Sequence, residues 1–180
     1  MPWKNGGGQT LELAVEPPGA TLETGFRWRI SSAEVGVSGP FSAFPGLERW
    51  LLLLEGNGFE IDFGARGRAV LDEPLVPVRF PGDWPATATL LGGPCTDLNL
   101  MIDRGFRAGV EILRQSASRN LALQSATTLL FVAQGTASVP ALGLELGRRH
   151  LLRIDGAGEG LCVAPGVCGA TLVRMDLDPA

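Results

Sequence analysis

The chain has 180 residues, of which 45% are hydrophobic and 19% are charged, and its formal net charge is −4. This composition fits one compact domain or two small ones and excludes an intrinsically disordered chain. The acidic balance, with no cluster of lysine or arginine, argues against nucleic-acid binding. The longest apolar run, Trp50 to Leu54, is too short to cross a membrane, and the residues after Met1 do not form the apolar core of a secretory signal. We therefore predict a cytoplasmic protein.

The chain begins with a segment that joins an indole, a cation, an amide and three glycines: Trp3, Lys4, Asn5, Gly6, Gly7 and Gly8. Three consecutive glycines are costly to order, and an indole near the terminus needs a place to be buried. We interpret this segment as an ordered loop rather than a flexible tail. Its glycine amides can form a concave nest for a carboxylate, with the Lys4 ammonium group and the Asn5 amide beside it.

Short segments of alternating apolar and polar residues follow, separated by many of the 25 glycines and 13 prolines. Residues 26–31, 59–64 and 97–102 alternate with a period of two, which is typical of strands with one buried face. The best helical candidate is the stretch from Glu111 to Thr128, and it fits a hairpin around Arg119-Asn120 equally well. The pattern predicts an all-β protein, a sandwich or a barrel.

A weak internal repeat suggests a duplicated β-unit. The run Leu51–Gly56 is echoed about eighty residues later by Leu129–Gly135, and an amphipathic strand follows each run. The repeat predicts a junction near Asp103–Gly109. We expect two domains, residues 1–105 and 106–180, packed as one compact unit.

Five motifs follow one another in the first 105 residues: Pro-Trp-Lys-Asn-Gly-Gly-Gly at 2–8, Trp-Arg-Ile-Ser at 28–31, Gly-Pro-Phe-Ser-Ala-Phe-Pro-Gly at 39–46, Phe-Pro-Gly-Asp at 80–83 and Asp-Leu-Asn at 97–99. In this order and spacing they resemble the HutD/Ves family of small bacterial bicupins, some of which are encoded with histidine-utilisation genes. The resemblance implies two cupin-type antiparallel β-barrels fused in one chain. Family members commonly have further residues before the first motif, so we expect that a piece of N-terminal strand is absent or that the start is misassigned.

A metal centre is not expected, although many cupins hold one. His150 is the only histidine, and it lies next to two arginines where a solvated surface position is expected. The three cysteines lack metal-ligand spacing, and Cys162 and Cys168 flank a predicted turn, where we expect small buried residues facing one another across a hairpin. We predict free thiols, no metal and no cofactor.

A polar set suited to an anion is the remaining candidate site. Arg29 alternates with Trp28 and Ile30, so its side chain points into the barrel if those two pack outward. A buried guanidinium needs a ligand or a protein carboxylate, for which Glu34 and Asp97 are the candidates. Ser31 shares the parity of Arg29, and Asn99 shares that of Asp97. Trp3 and Trp28 are candidate pocket walls, although a tryptophan on a strand is more often plain core.

Two loops are interpreted as structural turns rather than sites. Gly39–Gly46 holds two prolines, two glycines and two phenylalanines, as expected for a rigid packed loop. The turn at residues 80–83 ends in Asp83, a residue able to pair with an interior arginine.

Three functional hypotheses follow. The first is a metal-free, non-catalytic bicupin that binds a small carboxylate through Lys4, Asn5, the amides of residues 6–8, Arg29, Ser31 and Asn99. The resemblance implies that such a protein modulates histidine breakdown or a related catabolic or stress response, with N-formylglutamate or urocanate as ligand.

The second hypothesis is a metal-independent isomerase or epimerase, although the chain has no tyrosine and one histidine for acid–base work. The third is a structural protein without a small ligand, in which Trp50, Leu51, Phe41 and Phe44 supply a partner surface. A homodimer is compatible with each hypothesis.

Overall fold

The computed structural model describes residues 7–180, and over these residues the chain forms fifteen β-strands and two short 3-10 helices. It divides into two compact units, Met1–Gly105 and Phe106–Ala180. The elements of the first unit are β1 (Gly8–Glu16), β2 (Trp28–Val35), β3 (Gly39–Pro40), β4 (Leu47–Glu55), β5 (Phe59–Asp62), a 3-10 helix (Gly64–Arg66), β6 (Arg68–Leu71), β7 (Val78–Pro81), β8 (Thr87–Leu90) and β9 (Cys95–Asp103). Those of the second are β10 (Phe106–Gln115), β11 (Arg119–Leu123), β12 (Thr127–Val139), a 3-10 helix (Pro140–Leu142), β13 (Leu144–Leu146), β14 (Leu151–Asp155) and β15 (Gly158–Pro179).

The first unit consists of two antiparallel sheets with a core between them. The strand order is β1-β2-β9-β4-β7 in the five-stranded sheet and β3-β8-β5-β6 in the four-stranded sheet. One buried cluster joins Leu51 and Leu53 of the larger sheet to Phe59 and Ile61 of the smaller one. Burying each of these side chains contributes about 1.5–3 kcal/mol. We call the face of the five-stranded sheet that carries Leu51 and Leu53 the inner face.

The second unit is organised around β15, which spans 22 residues. β10 pairs with its C-terminal half, β12 pairs with residues between Ala164 and Leu177, and β11 pairs with its N-terminal part. β13 and β14 add to β12. A second apolar cluster fills this unit, with Leu113, Leu130, Val132 and Leu172 among its members.

The predicted duplication is visible as a repeated pairing order. The path β2-β9-β4-β7 in the first unit corresponds to β10-β15-β12-β14 in the second. Equivalent glycines, which we call the corner glycines, follow the two apolar runs: Gly56 at φ 89°, directly after β4, and Gly135 at φ 72°, within β12. At each, a Cβ would lie within 3 Å of a backbone oxygen, that of Pro94 or that of Gly169, so only glycine fits.

The stretch from Glu111 to Thr128 is neither a helix nor a hairpin. It forms β10 and β11, which both pair with β15 and not with each other, and Arg119-Asn120 lies within β11. The expectation of one buried face is also wrong for β9, whose residues 95–102 are all buried. A central strand covered on both faces hides its orientation from a hydrophobicity pattern.

No helix within residues 7–180 has the length and apolar character needed to span a membrane.

Candidate functional site

The register of three neighbouring strands brings polar side chains together on the inner face of the first unit. β9 lies between β2 and β4, and directly opposite residues of antiparallel strands share a face. Asp97 stands opposite Leu53, Asn99 opposite Leu51, and Met101 opposite Arg49. On the β2 side the corresponding partners are Ala33, Ser31 and Arg29. The inner face therefore carries two arginines, an aspartate, an asparagine and a serine beside an otherwise apolar core.

Arg49 is the most unusual residue of this face, since its guanidinium is buried among aromatic rings. The side chain is 5% exposed, and its guanidinium carbon lies 5.1, 5.2 and 5.5 Å from the ring centroids of Phe80, Phe44 and Phe41. We call these three residues the phenylalanine box. Desolvated cation–π contacts contribute about 2 kcal/mol, which offsets only part of the cost of burying the charge.

Hydrogen bonding to Arg49 is incomplete. Its Nε has no hydrogen-bond partner among residues 7–180. Burial lowers the pKa of Arg49 to about 10, and the charge of Asp97 opposes this shift. The guanidinium thus stays cationic at neutral pH. Its buried Nε–H group is available to a hydrogen-bond acceptor.

Asp97 and Asn99 each have a hydrogen-bond acceptor atom that receives no hydrogen bond from the described residues. Asp97 is 3% exposed and Asn99 is 6% exposed, and the Oδ1 of each has no hydrogen-bond partner in the described part of the chain. Buried polar atoms are nearly always paired, so such orphaned atoms on one face indicate a site for a ligand or for water.

Burial raises the pKa of Asp97 to about 7, whereas the charge of Arg49 and a hydrogen bond with the Ala33 backbone lower it. The carboxyl group is therefore close to half-ionised at neutral pH. Burial is the main cause that raises the pKa of the neighbouring Cys95 to about 11, and the charge of Asp97 adds to it, so this cysteine remains a thiol.

Arg29 lies on the inner face, but its partner differs from the one expected. Its Nε donates to Glu12 of β1 at 2.7 Å, not to Glu34 or Asp97. Glu34 is exposed on the opposite face and accepts a hydrogen bond from Gln9. The pairing with Glu12 is set by β1, which is joined to β2 with a register shift between Glu12 and Ala14.

The other predicted site residues divide between this face and elsewhere. Ser31 is buried on the inner face opposite Asn99. Trp28 is buried on the opposite face of β2 and does not line the inner face. Gly7 accepts a hydrogen bond from the Gly36 amide at 2.9 Å, and Gly8 begins β1 opposite Val35. Trp3, Lys4, Asn5 and Gly6 lie outside the described residues, so the amide nest stays a prediction.

Arg49 and the phenylalanine box are the part of the site that the sequence interpretation missed. Phe41 and Phe44 come from the loop interpreted as a structural turn, and Phe80 is the residue before the end of β7, at the start of the other such turn. Arg49 has the parity of Leu51 and Leu53 on β4, so a charge at an inward position was the available signal. Leu51 is 1% exposed, so it does not contribute to the predicted partner surface. Trp50, Phe41 and Phe44 are half-buried, and a partner surface built from them stays a prediction.

Asp83 pairs with Arg104, which is 47% exposed, and not with an interior arginine. Arg104 also contacts Glu48. A backbone hydrogen bond at Asp83 lowers the pKa of this carboxyl, as does its hydrogen bond with Arg104, and that second hydrogen bond raises the pKa of Arg104. The pair lies on the surface and contributes little to the site.

The second unit holds the histidine and two of the cysteines. His150 is exposed, and its Nδ1 accepts a hydrogen bond from the Gly147 amide at 3.1 Å. Cys162 and Cys168 are exposed on the single strand β15, so the expectation of buried cysteines facing across a hairpin is wrong. Within residues 7–180 no three His, Cys, Asp or Glu side chains are grouped so that they could hold a metal ion.

Comparison with known proteins identifies relatives along nearly the whole chain. The HutD family model matches residues 1–169. An uncharacterised 21.2 kDa protein from the hutC 3' region of Pseudomonas putida is 35% identical and aligns with 96% of this chain and 92% of its own length. Protein Ves from Citrobacter koseri is 40% identical over 103 residues, which are 57% of this chain and 52% of that protein.

Solved structures show the same fold. HutD from Pseudomonas fluorescens SBW25 (formate condition) superposes with a TM-score of 0.83 at 31% identity, covering 100% of this chain and 93% of that one. Salicylate 1,2-dioxygenase from Pseudoaminobacter salicylatoxidans matches with a TM-score of 0.65 at 9% identity, covering 93% and 76%. This second likeness concerns the fold alone, and it confirms the prediction of an all-β, cupin-type architecture.

Proposed function

This chain belongs to the HutD family, and we propose that it binds a small carboxylate on the inner face of its first unit and acts as a regulator rather than an enzyme. The observation that carries the proposal is Arg49. A buried cation with an unused donor costs folding free energy unless something else compensates it, and a carboxylate is the group that a guanidinium binds best.

The orphaned acceptors narrow the ligand further. A molecule that places a carboxylate at Arg49 meets the Oδ1 atoms of Asp97 and Asn99, which require an N–H or O–H donor. N-formylglutamate has carboxylates and an amide N–H, and urocanate has a carboxylate and an imidazole N–H. Each offers one N–H, which can pair with one of the two acceptors, whereas a carboxylate without a donor pairs with neither.

The residues predicted from the sequence complete this proposal. Ser31 lies opposite Asn99 and Arg29 lies opposite Met101 on the same face, so both are within the proposed ligand region. Lys4, Asn5 and the amides of Gly6, Gly7 and Gly8 are proposed to add a second anchor for an anion.

The proposed physiological role is modulation of histidine utilisation in the cytoplasm. Its support is the name of the Pseudomonas putida relative, which places that protein beside hutC, together with the match between the site and two intermediates of histidine breakdown. A homodimer remains part of the proposal.

One observation favours the enzyme alternative. Asp97 has a pKa near 7, which is the value that suits a general base at neutral pH. A metal-independent isomerase is therefore the second candidate, with Asp97 as the proton acceptor.

Calorimetric titration of the protein with N-formylglutamate, urocanate, glutamate and histidine tests the proposal. We expect binding of a carboxylate with an N–H donor, at least tenfold weaker in Arg49→Met because a charge-assisted hydrogen bond contributes about 1.5–3 kcal/mol. Arg79→Met is the matched control, since Arg79 is an exposed arginine of the adjacent strand β7, stacked on Trp50.

Equal affinity in wild-type protein and Arg49→Met would show that the site is elsewhere. NMR of each ligand after prolonged incubation separates the two candidate functions. An unchanged ligand supports a binding protein, and a product that disappears with Asp97→Asn supports the enzyme.

A further inference from the structure

We propose that Asp97 is a removable internal counter-ion of Arg49, so that an anion binding at Arg49 drives the uptake of one proton by Asp97. The inference rests on the proposed function, because it concerns the same ligand at the same site. It adds that ligand occupancy is coupled to pH.

The two charges share one buried face of the first unit. Both side chains lie on the inner face, both are at least 95% buried, and each has a polar atom without a hydrogen-bond partner in residues 7–180. The facing elements are apolar: Ala33 on β2, Leu53 on β4, Phe59 and Ile61 on β5, Leu71 on β6 and Ala88 on β8. Within this enclosure the charge of Arg49 is opposed by that of Asp97.

The other ionisable groups of the described inner face do not serve this purpose. Arg29 on β2 is held by Glu12 of β1, so this pair is neutral as a whole. Cys95, two residues before Asp97 on β9, stays protonated because its pKa is raised to about 11. Among the described residues, Asp97 is therefore the group whose charge responds when the balance around Arg49 changes.

An incoming carboxylate creates an excess of negative charge. Arg49 then faces two anions in a region of low dielectric constant, where the interaction of like charges is strong. Protonation of the Asp97 carboxylate by solvent restores neutrality, and the new O–H becomes a donor for the ligand or for Asn99. The ligand replaces Asp97 as the counter-ion of Arg49.

The direction of the pH dependence follows from this exchange. Arg49 lowers the pKa of Asp97, which stands at about 7 without ligand. A bound anion cancels the effect of Arg49, so the pKa of Asp97 rises above 7 in the complex. Below pH 6 Asp97 is protonated in both states and affinity is constant; above pH 7 each binding event takes up a proton and affinity falls as the pH rises.

Calorimetry with N-formylglutamate tests the inference, since its carboxylates remain ionised between pH 6 and 9. Titrations at pH 7.5 in phosphate and in Tris, which differ in ionisation enthalpy, count the protons taken up. We expect most of one proton per ligand, and a dissociation constant that increases about tenfold from pH 6 to pH 8. Asp97→Asn removes both effects, and Asp72→Asn, at an exposed position of the same unit, retains them.

The outcomes distinguish this inference from the proposed function. Binding without proton uptake, or proton uptake that persists in Asp97→Asn, overturns the inference and leaves the proposed function standing. A wild-type protein that binds no N-formylglutamate at any pH overturns both. If Asp97→Asn does not fold, the carbon-13 NMR shift of the wild-type Asp97 carboxyl, followed against pH with and without ligand, decides instead.

Discussion

The two units share one strand-pairing order, but they carry different side chains at equivalent positions of the inner face of the first unit and the corresponding face of the second. Val132 and Leu172 of the second unit occupy the places of Leu53 and Asp97 in the first, since each pair stands next to the corner glycine. By the same register, Thr128 takes the place of Arg49. The second unit therefore has an apolar side chain where the first has a buried carboxyl group, and a hydroxyl where the first has a guanidinium.

The inward charged groups of the second unit pair with one another, although both amide atoms of the buried Gln115 lack a hydrogen-bond partner among residues 7–180. Arg174 forms an ion pair with Asp176 at 2.7 Å, and the Thr128 hydroxyl donates to Asp176 at 2.7 Å. The first unit instead keeps Arg49, Asp97 and Asn99 with atoms unpaired within the described chain. The difference teaches that one topology can place either an internal ion pair or separate, incompletely hydrogen-bonded charges at its inward positions.

Placing a carboxyl group in the apolar unit should have the largest effect. Leu172→Asp puts the carboxyl at the position equivalent to Asp97, where the neighbouring arginine, Arg174, is already paired with Asp176. We expect a loss of about 5 kcal/mol in the free energy of unfolding at pH 8, from the lost packing and the unpaired charge. Urea denaturation measures it, with Leu172→Asn as the neutral control of similar shape. Equal losses for the two variants at pH 8 would contradict the argument from charge.

Asp97→Asn removes a carboxyl group whose pKa is raised from 3.8 to about 7 in the folded protein. This pKa shift corresponds to a pH-dependent change of about 4 kcal/mol in the free energy of unfolding. Because the folded-state pKa is above the unfolded one, the stabilising contribution of the protonated carboxyl is complete below pH 4 and is lost as the pH rises to 7. The free energy of unfolding of Asp97→Asn, minus that of the wild type, should therefore increase between pH 4 and pH 8. Denaturant titrations across this range measure it, and a constant difference would show that Asp97 is not perturbed in the folded protein.

Replacing both buried charges of the first unit by apolar side chains should have a smaller and opposite effect. The double variant Arg49→Met with Asp97→Leu replaces a buried charge pair by apolar side chains. Such replacements are often stabilising, and we expect a gain of about 2 kcal/mol at pH 7. Ligand binding is expected to disappear in the same variant. Thermal unfolding and calorimetry test the two halves of this prediction, and a double variant that still binds would place the ligand elsewhere.

Part of this molecule could be predicted from sequence because its signals are local. Period-two alternation and glycine punctuation predicted the all-β fold, and the Leu51–Gly56 echo predicted the duplication. The shared parity of Asp97 and Asn99 also holds, since both belong to one uninterrupted strand.

What could not be predicted depends on contacts between strands far apart in sequence. The partner of Arg29 is set by the register of β1, which includes an irregularity that no local pattern marks. Arg49 was hidden because β4 is buried on both faces, so that the leucine run masks its alternation. The segment between Cys162 and Cys168 is predicted to be a turn, but it lies within β15. Gly166 in this segment allows close approach to Thr136, whose hydroxyl oxygen would lie 2.1 Å from an added Cβ.

The long strand β15 also determines when each unit can form during synthesis. The sheets of the first unit close with β9, so this unit has all its strands once residue 103 has left the ribosome. The second unit must wait for β15, because β10, β11 and β12 all pair with it. Until then its apolar strands have no central partner and are open to wrong pairing. The order of synthesis thus favours a nascent chain whose first unit is already folded while the second unit still lacks its central strand.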